Sequence, residues 1–107
     1  MKTIWKFPID PKGVQLVEMP IDSRPFRAGW DPYERKAYIW AECDTRKEKA
    51  KYRVFVIGTG ESLDNVNGCY LGTVAYSSRS ESRMLNWHIY FNPEPVDWEE
   101  SDDNAGV

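Results

Sequence analysis

A chain of 107 residues is enough for one domain and too short for two. Its 41% hydrophobic content, with five Trp, six Tyr and four Phe, excludes intrinsic disorder, which goes with few aromatics and weak hydrophobicity. Seventeen acids against fourteen bases leave a formal charge of −3, and unbroken apolar runs such as Val54-Phe55-Val56-Ile57 fall far short of the roughly 18 residues of a membrane helix.

The first eight residues have no apolar core of the kind a secretory leader carries, so nothing in them points to export. They open instead on period-two alternation, the signature of a strand, with Thr3, Trp5 and Phe7 on one face and Lys6 on the other. Residues 14–19 form a second run, ended by Pro20. In residues 37–43, Ala37, Ile39, Ala41 and Cys43 share one side while Tyr38, Trp40 and Glu42 share the other. Residues 52–57 are rich in β-branched and aromatic side chains. Residues 69–76 and 85–91 complete the set, and in the last Leu85, Trp87, Ile89 and Phe91 alternate with Asn86, His88 and Tyr90.

Turn residues separate these runs at Asp10-Pro11-Lys12-Gly13, Trp30-Asp31-Pro32, Gly58-Thr59-Gly60 and Asn67-Gly68. Residues 46–51 have helical propensity but no apolar stripe and read as a charged hairpin loop; residues 77–83 read as a second polar loop. The pattern predicts a mainly β protein, a small antiparallel β-sandwich or barrel of six to seven short strands with little or no helix. One β domain is expected over residues 1–95, followed by an acidic tail at 96–107. Residues 92–107 hold six acids and no base, so residues 1–91 carry fourteen bases against eleven acids, or +3. Such a tail reads as a solvated terminus, or as a mimic of nucleic acid.

Two cysteines and one histidine are too few for a structural zinc site, and Cys43 and Cys69 are expected as reduced core thiols. The Gly58-Thr59-Gly60 turn resembles part of a phosphate loop but lacks the Gly-Lys-Ser/Thr ending and a following helix, so a structural turn is the first expectation and a ligand-contacting backbone nest the second. His88 has no accompanying nucleophile motif and is expected to be a strand histidine held by a neighbouring hydrogen bond. Fifteen aromatics exceed what a small core takes, so some are expected at the surface. Trp30, Tyr33, Tyr38, Trp40 and Tyr90 lie near Arg24, Arg27, Arg35 and Arg53 in sequence or by alternation. The candidate contact residues are Arg27, Trp30, Tyr38, Trp40, Arg53, Gly58, Thr59, Gly60, His88 and Tyr90. No catalytic residue, metal site or cofactor is expected, and the net charge disfavours direct nucleic-acid binding.

Three stretches, Lys2-Thr3-Ile4-Trp5-Lys6-Phe7-Pro8-Ile9 with Glu18-Met19-Pro20, Ile57-Gly58-Thr59-Gly60 with Tyr70-Leu71-Gly72-Thr73-Val74, and Trp87-His88-Ile89-Tyr90, together resemble a family of roughly 100-residue tailed-phage and prophage proteins with a domain of unknown function. The chain departs from that pattern at Glu61-Ser62, where the family tends to have His-Pro, and in a longer loop at 77–83. The resemblance carries no catalytic or binding residues. It implies an accessory protein made in the cytoplasm of an infected bacterium. On that basis the expected function is binding and inhibition of a host protein, such as a defence or transcription component, through an aromatic-rich β surface. The alternative is a homo-oligomer that sequesters a nucleotide signal, with arginines on phosphate and Trp or Tyr on the base. Neither reading involves a membrane.

Overall fold

The computed structural model describes residues 1–11, 13–76 and 85–96. Its seven strands are β1 (Lys2–Ile9), β2 (Gly13–Pro20), β3 (Arg24–Asp31), β4 (Lys36–Asp44), β5 (Lys49–Gly58), β6 (Cys69–Tyr76) and β7 (Leu85–Val96). They form two sheets, ordered β1-β4-β3 and β2-β5-β7-β6, with every pairing antiparallel. The sheets pack on one another without closing into a barrel, so the sandwich is the architecture adopted. There is no helix among the described residues, and hence none long and apolar enough to cross a membrane. The polar loop at 77–83 and the acidic tail from residue 97 lie outside the described residues.

The inner face of β4 anchors the core. Ala37, Ile39, Ala41 and Cys43 all point inward, as the alternation predicts, and Ile39 and Ala41 are completely buried. Opposite them Val54, Val56, Val74, Ile89 and Phe91 come from β5, β6 and β7, with the Tyr52 and Phe91 rings 5.4 Å apart. Small residues on β4 face large ones on its neighbours: Trp5 of β1 lies across from Ala41, and Trp30 of β3 across from Ala37. Each fully buried aliphatic side chain contributes about 1.5–3 kcal/mol, so this seam supplies much of the driving force.

β3 was not foreseen, and its composition explains why. Pro25 and Gly29 disfavour a strand, and a bulge at Phe26 breaks the two-residue period. The 45–48 connection also differs from expectation. β4 and β5 belong to different sheets, so it is a crossover rather than a hairpin, and Lys49, Ala50 and Lys51 already belong to β5. The Asp44 carboxylate accepts the Arg46 amide at 3.1 Å and fixes the start of that turn. Both cysteines are free; Cys43 is buried, but Cys69, at the start of the edge strand β6, is exposed rather than in the core.

The sandwich closes most tightly where β6 meets β3. A Cβ on Gly72 would lie 2.9 Å from the Ala28 carbonyl oxygen, a contact with backbone that no rotamer change relieves. The Trp87 indole nitrogen is buried without a hydrogen-bond partner, a standing cost in the native state.

Two substitutions separate these effects in urea or thermal unfolding. Gly72→Ala is expected to destabilise by about 1–3 kcal/mol, because the new methyl group forces the two sheets apart. Trp87→Phe keeps an aromatic ring, though a smaller one, and removes the orphaned donor, so its effect is expected to stay within about 1 kcal/mol, well below the roughly 3–5 kcal/mol typical of truncating a core aromatic.

Candidate functional site

The side chains that do not face the core fall on two outward surfaces, one on each sheet. On the three-stranded sheet the pairing defines three outward rows: Pro8–Tyr38–Gly29, Lys6–Trp40–Arg27 and Ile4–Glu42–Arg24. The bulge at Phe26 creates this arrangement. Arg24 and Arg27 are three residues apart and would point to opposite faces of a regular strand; the extra residue returns both to the outer face. Arg27 lies over the Trp40 ring with its guanidinium carbon 5.1 Å from the centroid, and Lys6 Nζ lies 4.5 Å from the centroid of Tyr38. Gly29 leaves room for this packing: a Cβ there would sit 3.4 Å from Trp40 and 3.5 Å from Arg27. The Tyr38 and Trp40 rings are tilted against each other at 6.1 Å.

The outer face of the four-stranded sheet is more apolar. One row crosses all four strands as Val14–Phe55–Tyr90–Tyr70, and beside it run Ile57–His88–Thr73 and Leu16–Arg53. Phe55 and Ile57 are sheltered by their neighbours, while Val14 is 62% exposed, Leu16 44% and Tyr70 56%. Tyr70 and Tyr90 meet edge to face at 5.5 Å. Along the margin of this face runs a hydrogen-bonded chain. The Tyr70 hydroxyl bonds Thr73 Oγ1 at 2.5 Å, Thr73 Oγ1 bonds His88 Nδ1 at 2.9 Å, and His88 Nε2 bonds Thr59 Oγ1 at 2.8 Å. Both ring nitrogens of His88 are thus held by threonine hydroxyls, the satisfied strand histidine expected from sequence. In the adjoining turn the Gly58 amide donates to Glu61 Oε1 at 2.9 Å, and the Glu61 amide donates to the Gly58 carbonyl at 3.0 Å. A protein carboxylate therefore occupies the amide that a phosphate would use in a backbone nest.

The ten residues singled out from sequence divide between these surfaces. Arg27, Tyr38 and Trp40 come together on the three-stranded sheet. Arg53, Gly58, Thr59, Gly60, His88 and Tyr90 belong to the outward side of the four-stranded sheet or to the turn at its end. Trp30 joins neither, because it is paired with Ala37 and packs against the core. Sequence reasoning missed Val14, Leu16, Phe55, Tyr70 and Thr73, and named Arg24 only as a neighbour. Their membership depends on strand order, which the alternation does not encode.

At one end of the three-stranded sheet an open cleft of about 800 Å³ is lined by Lys2, Ile4, Ser23, Arg24, Glu42, Asp44, Lys47 and Pro93 among others. Half of its charged lining residues, Asp22, Asp44 and Lys47, are held in ion pairs. Arg46 donates to Asp44 at 3.1 and 3.0 Å, the N-terminal ammonium lies 3.3 Å from the same carboxylate, and Lys47 pairs with Asp22 at 2.8 Å. The Arg46 hydrogen bonds, more than any other contact, hold the Asp44 carboxyl well below the usual carboxylate range. Lys6, bonded to Asp31 at 2.9 Å, lowers that carboxyl in the same way and is itself raised. Among the described residues no cluster of three or more His, Cys, Asp or Glu could hold a metal ion.

A family model described as a domain of unknown function (DUF7352) matches residues 1–100. No curated protein and no solved structure matches the chain.

The paired carboxylates give stability a pH dependence whose sign is fixed. Asp31 and Asp44 titrate lower in the folded state than in the unfolded chain, so their contribution is present above the unfolded value of about 4 and is lost as pH falls below it. The thermal midpoint is expected to drop between about pH 5 and pH 2, and Asp44→Asn is expected to flatten that drop. An unchanged pH profile in the variant would show that the Asp44 pairs do not form in solution.

Proposed function

The chain belongs to the DUF7352 family, and from that premise we propose that it is a non-enzymatic binding protein of a tailed phage or prophage that inhibits a host protein. The contact surface in this reading is the outer face of the four-stranded sheet, and the site of action is the cytoplasm of the infected bacterium. The observation that carries the reading is the row Val14–Phe55–Tyr90–Tyr70, an apolar and aromatic band that crosses every strand of the sheet and faces away from the core. Strands about 4.8 Å apart make this band roughly 15 Å wide, the scale of the apolar centre of a protein–protein interface. Its edge carries the hydrogen-bonding rim that such centres have, in Thr73, His88 and the Tyr70 hydroxyl. The phage origin rests on the resemblance of the opening strand, the Gly58-Thr59-Gly60 turn and Trp87-His88-Ile89-Tyr90 to the phage-family pattern.

The exposed positions of this face, Val14 in the band and Leu16 in the row beside it, can be altered without touching the core. Val14→Asp and Leu16→Asp are expected to leave the thermal midpoint nearly unchanged and to weaken capture of the host protein by about tenfold or more, since charge at an apolar interface centre is desolvated without a partner. The measurement is quantitative affinity purification from infected cells with both variants. Equal recovery of the same host protein by wild type and both variants would contradict this assignment of the surface.

A further inference from the structure

We propose that the outer face of the three-stranded sheet is a second binding surface, which takes a short stretch of single-stranded nucleic acid through Arg24, Arg27 and Trp40. Arg24 and Arg27 stand two positions apart on one face because of the bulge at Phe26. At strand geometry that separation is roughly 7 Å, which suits successive phosphates of an extended strand. Arg27 is held over Trp40, yet the guanidinium donors of Arg27 and Arg24 meet no acceptor among the described residues. A planar fork with unused donors, stacked on an indole, is suited both to phosphate and to the face of a base.

The charges around this surface are unevenly spent. Asp31 is bonded to Lys6, Asp22 to Lys47, and Asp44 to Arg46 and the N-terminus. Among the described residues that leaves Arg24 and Arg27 as the cations of the two rows without an anionic partner, and Glu42, across from Arg24, as the acid without a cationic one. The whole-chain charge of −3 argues against nucleic-acid binding, but six of the acids lie in residues 92–107, and residues 1–91, which carry this face, are positive. A free mononucleotide fits less well, because the two arginines are strung along a strand on an open sheet instead of converging on one phosphate group. An acidic peptide would make no use of the stacked indole. Open β faces with aromatic and basic side chains are a common way to hold single strands.

The test is fluorescence anisotropy of the full chain with a labelled oligothymidylate of about twelve nucleotides, at about 50 and 300 mM salt. Binding is expected at the lower salt and is expected to weaken steeply at the higher. Arg27→Ala is expected to reduce affinity by about tenfold and Arg24→Ala by about three- to tenfold. Arg27→Lys, which keeps the charge but loses the fork and the stack, is not expected to restore the Arg27→Ala loss fully. Glu42→Gln is expected to tighten binding by about two- to fivefold, a gain that damage to the fold would not produce. Absence of binding at the lower salt, or affinity unmoved by Arg27→Ala and Glu42→Gln in variants that melt like the wild type, would overturn the proposal. Competition by a polyglutamate peptide as strong as that of the unlabelled oligonucleotide would overturn the stacking role of Trp40. Equally tight binding of ATP would overturn the choice of a strand over a free nucleotide.

Discussion

The structure depends on burying one side of β4. Ala37, Ile39, Ala41 and Cys43 face inward, so the strand lies at the centre of its sheet against the aliphatic residues of β5, β6 and β7. A strand that commits alternate residues to a core has no freedom left over its other side. Tyr38, Trp40 and Glu42 must face away, and so must the cross-strand partners of each. The same logic on the second sheet places Val54, Val56, Ile89 and Phe91 inside and Phe55, Ile57, His88 and Tyr90 outside. The composition of both outward surfaces follows from the inward one, except where a bulge resets the alternation.

Those resets are where structure adds most to sequence. The bulge at Phe26 turns two arginines that regular pleating would separate into neighbours on one face. A second irregularity, between Tyr52 and Val54, sets Asn92, Pro93 and Glu94 against the single residue Arg53, so that Pro93 falls within a bulge, where a proline is tolerated. A third, at Leu71, brings Tyr70 into line with Tyr90 and leaves Gly72 free to press against Ala28. Each falls on a glycine- or proline-bearing stretch.

This pattern explains what was legible beforehand. Strands with clean alternation, such as those around residues 37–43 and 85–91, could be read together with their faces, because a half-buried strand has to write its burial into its sequence. β3 could not, since Pro25, Phe26 and Gly29 hide a strand whose edge position and bulge tolerate them. The held state of His88 was legible, but its partners Thr59 and Thr73 come from two other segments. The contact residues were identified by type and not by grouping: Arg27 and Trp40 share a face with each other and not with Tyr90, because sheet membership is decided by long-range pairing. Trp30 shows the same gap, an aromatic near an arginine in sequence that the fold turns inward to pack against the core. Cys69 and the 45–48 crossover differ from expectation for the same reason.

The two outward surfaces differ in chemistry and point away from one another, so ligands of different kinds could be held without competing. One is an apolar aromatic band suited to a protein; the other is a basic and aromatic patch suited to a polyanion. The most direct test of this division is an amide-resolved chemical-shift map of the isotope-labelled chain as oligothymidylate is added. The division requires shifts concentrated in β3 and β4, around Arg24, Arg27 and Trp40, with β2 and β7 unmoved. Shifts centred on Tyr70, His88 and Tyr90, or spread evenly over both sheets, would contradict it.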